Sequence, residues 1–132
     1  MGLSITKRFT FDFAHRLPEY DGKCANLHGH QGILEVEVVK AGKVSTNYPT
    51  MIMDFGDLKK IVNWKVINKL DHTYLNDLIE IPTAESIVRW IKDELFEELG
   101  FGLARIRFYE TPDSYCEWVN DGAPVETKEA EV

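Results

Sequence analysis

Cysteine is scarce in this chain of 132 residues: only Cys24 and Cys116 occur, too few for a disulfide framework. No apolar run approaches the roughly 20 residues that a membrane-spanning helix needs. The opening residues lack a signal-peptide core, because Lys7 and Arg8 interrupt them, so reduced thiols in the cytoplasm are the expectation. Basic residues are the minority: 15 Lys and Arg against 22 Asp and Glu leave a net charge of −7, which argues against a nucleic-acid partner. The same charge disfavours long-range capture of an anionic metabolite. Screening confines that penalty to about 8 Å at physiological salt, so small anionic substrates stay open. Apolar residues, at 44%, suffice for one packed domain over residues 1–120, followed by an acidic tail over 121–132 that is expected to fray.

Ile5 to His15 alternates cleanly, with Phe9, Phe11, Phe13 and His15 on one face and Arg8, Thr10 and Asp12 on the other. This predicts a half-buried strand with a histidine ending its apolar side. A second strand is predicted from His28 to about Lys40, where His28 and His30 share a face with Leu34, Val36 and Val38. From Asp57 the period turns helical, and Leu58, Ile61, Val62 and Ile67, broadened by Trp64 and Val66, form the expected stripe up to about Leu70. A second helix is predicted after Thr83, a fitting N-cap, with Glu85 in its first turn, Ile87, Val88, Ile91, Leu95 and Leu99 inward, and Gly100 as its stop. Alternation returns over Ala104 to Glu110, and Cys116 to Val119 can form a fourth strand. The expected class is α+β: a four-stranded antiparallel sheet in the order ββααββ, covered on one face by two helices.

The chemistry gathers in Cys24-Ala25-Asn26-Leu27-His28-Gly29-His30. Histidines two apart on a strand face the same way, roughly 6.5–7 Å apart along the chain. If the first two strands pair antiparallel, His15 joins them, and three imidazoles at one hairpin end have the look of a catalytic zinc site with an open fourth position. Singly, each histidine is better explained by partial burial and satisfied hydrogen bonds; it is the three together that point to a metal. The spacing of Gly22, His28, His30, Glu35 and Gly42 also fits a first cupin motif, but Glu35 points away from the histidines and no second motif follows. An amidohydrolase barrel would need about 250 residues. Cys24 reads equally as a small buried residue, a fourth ligand, or a thiol activated beside a cation. Asp71-His72 reads as a helix terminus or a carboxylate-supported proton relay, and Glu110 as an ion-pair member or a bidentate acceptor for a guanidine-like edge.

Several segments together carry a resemblance. They are Phe13-Ala14-His15-Arg16-Leu17-Pro18, Cys24-x-x-x-His28-Gly29-His30, Asp54-Phe55-x-x-Leu58-Lys59, Leu70-Asp71-His72-x-Tyr74-Leu75-Asn76, Pro82-Thr83-x-Glu85 and Glu110-Thr111. In this order the chain resembles the 6-pyruvoyl tetrahydropterin synthase family. The short interval from Cys24 to His28 favours its 6-carboxytetrahydropterin synthase branch, of queuosine biosynthesis. The resemblance implies the tunnelling fold, a homo-oligomer (a hexamer) with active sites between subunits, and Zn2+ on His15, His28 and His30. It implies Cys24 as the proton-abstracting base, Asp71 and His72 as its relay, and Glu110 with Thr111 on the pterin. The implied activity is a zinc-dependent lyase reaction: 7,8-dihydroneopterin triphosphate gives 6-carboxy-5,6,7,8-tetrahydropterin, triphosphate and acetaldehyde. The alternative is triphosphate elimination without carbon–carbon cleavage, giving the pyruvoyl product.

Overall fold

The computed structural model describes residues 2–122, so most of the acidic tail lies outside the described residues. Strand β1 spans Ile5–His15 and β2 His28–Val38; they pair antiparallel along their whole length, with His15 opposite His28 and Phe13 opposite His30. Strands β4 (Leu103–Thr111) and β5 (Ser114–Val119) extend the sheet beyond β2, both antiparallel. The sheet has five strands, not the expected four. The addition is β3, Thr73–Tyr74, which runs parallel to β1 at its outer edge and gives the order β3-β1-β2-β4-β5. Two residues are too few to show a period, and this pairing is fixed by main chain: the His72 N–H donates to the Asp12 carbonyl at 2.6 Å.

Helix α1, Phe55–Val62, starts two residues before the expected position because the Asp54 carboxylate accepts the Gly56 N–H at 2.6 Å, an N-cap worth about 1 kcal/mol. It loosens into a π turn over Asn63–Ile67 and closes as α2, Asn68–Leu70. The sequence accounts for the turn. Leu58, Val62, Val66 and Leu70 are all fully buried and four apart. On an unbroken α-helix each such step drifts by about 40°, so the wider π turn keeps the row against the sheet. That row, rather than one including Trp64, is the buried stripe; Trp64 is exposed.

Helix α3, Ala84–Leu99, begins where the Thr83 hydroxyl accepts the Ser86 N–H at 3.2 Å and ends at Gly100, whose φ of 56° suits glycine. Its Ile87, Val88, Ile91, Leu95 and Leu99 are buried against one face of the sheet. The opposite face is charged: Glu35 meets Arg8 and Arg107, and Glu37 meets Arg105. Glu35 therefore lies across the sheet from the histidines, as alternation requires. Among the described residues no helix is long and apolar enough to cross a membrane.

Candidate functional site

At the end of the β1–β2 hairpin three imidazoles close on one another. Ring centroids are 4.6 Å apart for His15 and His28, 4.9 Å for His28 and His30, and 5.1 Å for His15 and His30. A nitrogen from each lies within 4.8 Å of the others. The aromatic floor is Phe13, tilted against Phe11 and Phe108, with its ring 5.2 Å from His15 and 5.5 Å from His30. Two carbonyls set the rings: His15 Nδ1–H donates to Pro82 at 2.9 Å, and His28 Nδ1–H to Asn26 at 2.6 Å. Each leaves Nε2 as the lone-pair nitrogen, the usual device for orienting a metal-binding histidine.

The Nε2 atoms of His15 and His30 are buried without a hydrogen-bond partner. Such an orphan is costly unless something occupies the space it faces. Burial also pulls both imidazoles below their ordinary pKa, more than Glu110 pushes them up, so they are neutral and ready to donate lone pairs. Convergent, and with His15 and His30 kept neutral by burial, this donor set fits a divalent metal of the zinc type.

Glu110 connects the trio to a cleft. Its Oε1 is 3.4 Å from His30 Nε2, and it lines a space of about 420 Å³ with Thr111, Cys116, Ala84 and Glu85. The β4–β5 register slips between Tyr109 and Thr111, placing Glu110 at a bulge, the irregularity that re-aims a side chain beside a site. Cys24 lies half-buried in a short turn, Lys23–Ala25, and is not among the side chains that converge. A closed four-ligand centre through Cys24 is thus not formed.

Asp71 and His72 gather elsewhere. Their partner is Asp12, on the exposed face of β1, opposite to the face bearing His15. The Asp12 N–H donates to Asp71 Oδ1 at 2.9 Å, and Asp71 Oδ2 lies 3.0 Å from His72 Nδ1. These bonds, the one from Asp12 foremost, hold the Asp71 carboxyl below the usual range. Alternation could not find the orienting carbonyls of Asn26 and Pro82, because any residue type supplies one; nor could it find the bulge.

The family model for 6-pyruvoyl tetrahydropterin synthase matches residues 4–121. A 6-carboxy-5,6,7,8-tetrahydropterin synthase of Haemophilus influenzae is 36% identical, over 86% of this chain and 96% of its own. One from Synechocystis is 44% identical, over 81% of this chain and 85% of its own. In three dimensions the chain overlays the 6-pyruvoyl tetrahydropterin synthase of Caenorhabditis elegans with a TM-score of 0.75 at 23% identity, covering 90% of this chain and 96% of the other. The fold is the tunnelling fold.

Proposed function

The chain belongs to the 6-pyruvoyl tetrahydropterin synthase family, and on that premise we propose that it is a zinc-dependent 6-carboxytetrahydropterin synthase of queuosine biosynthesis. Its substrate is 7,8-dihydroneopterin triphosphate. With one water taken up, the products are 6-carboxy-5,6,7,8-tetrahydropterin, acetaldehyde and triphosphate. One observation carries the reading: Glu110 both lines the cleft and stands 3.4 Å from His30, so a flat ring gripped there lies in one site with the imidazoles.

Each part of the site has a task under this reading. The Glu110 carboxylate accepts two parallel N–H bonds from the amino-pyrimidinone edge of the pterin, beside Thr111. His15, His28 and His30 hold the zinc. Bound there, zinc supplies Lewis acidity that makes the side-chain hydroxyl protons more acidic. Cys24 thiolate removes a side-chain proton, and the Asp71–His72 pair returns one elsewhere.

The Asp71–His72 pair sits across β1 from the imidazoles, so a neighbouring subunit must bring its own pair to complete each site. That need, and the open edges at β3 and β5, support a homo-oligomer, a hexamer in this reading. The two free cysteines fit a reducing compartment, the cytoplasm. Incubation with 7,8-dihydroneopterin triphosphate, followed by mass spectrometry, tests the assignment. Acetaldehyde with the 6-carboxy product supports it; a product that keeps the three-carbon side chain assigns the pyruvoyl reaction instead.

A further inference from the structure

Asp12 is a charged group that the proposed mechanism leaves unused. Its main chain makes two bonds to a single dipeptide: the N–H donates to Asp71 Oδ1 at 2.9 Å, and the carbonyl accepts the His72 N–H at 2.6 Å. Between them His72 is held at φ 58°, a left-handed conformation uncommon for a residue with a Cβ. Such a conformation persists where the surroundings over-determine it, and it clusters at functional sites. The side chain of Asp12 takes part as well, since its carboxylate, that of Asp71 and a ring nitrogen of His72 all lie within 4.8 Å of one another. Asp71 Oδ2 already approaches Nδ1 at 3.0 Å, which leaves Nε2 as the nitrogen free to exchange a proton with substrate. The cross-strand partner of Asp12 is the neutral Gln31, and no ion pair with a lysine or arginine forms at Asp12 among the described residues.

We propose that Asp12 is a positioning residue of the Asp71–His72 relay: its main chain fixes the imidazole in place, and its carboxylate gives the charged ring a second anionic neighbour. This rests on the reading that His72 carries a proton during the reaction. A proton arriving on His72 then finds two carboxylates around it, one bonded and one acting through space. In this proposal Asp12 acts through His72 and not on substrate or metal, so its removal acts on turnover and not on binding.

Because the main-chain bonds survive any side-chain change, Asp12→Asn isolates the carboxylate. Steady-state kinetics with 7,8-dihydroneopterin triphosphate on the full-length assembled protein, alongside zinc content and Tm, test the idea. The expected result is a kcat lower by about five- to tenfold, the effect of one charge about 4 Å away across water, as befits an exposed pair, with KM, zinc content and Tm unchanged. Asp12→Glu restores most of the turnover. Wild-type kcat in Asp12→Asn, while His72→Ala loses turnover, overturns the proposal and leaves the relay standing. A kcat that falls only together with Tm or zinc, and that Asp12→Glu does not rescue, overturns it too. Full turnover in His72→Ala removes the relay and this proposal with it.

Discussion

His15 and His28 face each other as direct cross-strand partners, with ring centroids 4.6 Å apart, at the only end of the β1–β2 ladder where both strands present an imidazole to the core side. Each is turned by a carbonyl from a different segment, Pro82 for one and Asn26 for the other. The pairing register thus aims two lone pairs at one point, and His30 supplies the third from the same face of β2.

Under the proposed function, removing one imidazole removes a ligand and not merely a contact. His15→Ala is expected to weaken zinc binding by more than the about 10–100-fold that loss of an outer-shell partner costs. Product formation should disappear with the metal, as it should after chelation of the unaltered protein. Zinc content per chain and activity before and after chelation check this; an active, zinc-free protein would remove the metal from the mechanism.

The metal-free protein should lose stability in acid. Burial lowers His15 and His30 below the ordinary imidazole value of 6.5. As pH falls through 6.5 the unfolded chain takes up protons that His15 and His30 in the folded protein still refuse, so unfolding becomes more favourable. The loss continues until the lowered folded values are passed and then stops. Tm measured on metal-free protein between about pH 8 and pH 4.5 should decline below 6.5, and His30→Gln should flatten the decline.

Much of this architecture is legible in the residue pattern, and the exceptions have one cause. Strand β1 runs from Ile5 to His15 as its alternation predicts, and α3 begins and ends at the expected Thr83 and Gly100. The convergence of His15 with His28 and His30 follows from period two and antiparallel pairing. What escapes is whatever the main chain decides. Strand β3 depends on a carbonyl of Asp12, the orientation of His15 on a carbonyl of Pro82, and the reach of Glu110 on a bulge. The placement of Asp71–His72 across the sheet from the imidazoles follows from β3 pairing with β1, so it was hidden with β3.

Cys24 separates binding from chemistry. It stands outside the convergent donor set, half-buried in its own turn. Cys24→Ala should keep zinc content and Tm near those of the unaltered protein while turnover falls by about 10²–10⁴-fold, the range for loss of a positioned base. Turnover that survives the change would end the role proposed for the thiol.

Gly32 tests whether the aromatic floor holds the imidazoles. It lies on β2, two residues beyond His30, with its missing side chain directed into the core. A Cβ there would stand 2.7 Å from Phe108 Cε1 and 3.1 Å from Phe13 Cε1. Neither ring can simply retreat, because Phe11 packs against both, at 5.8 Å and 5.5 Å between centroids. Gly32→Ala should therefore cost about 1–3 kcal/mol of stability as an overpacked core. The displaced Phe13 ring borders His15 and His30, so zinc affinity should fall as well. Leu95→Ala supplies the comparison: it empties a buried position on α3 and should cost about 2–5 kcal/mol while leaving zinc affinity close to its original value. Thermal unfolding of metal-free protein and zinc titration of both variants decide the matter. If Gly32→Ala lowers Tm yet binds zinc as tightly as before, the rings beneath the imidazoles serve the core alone.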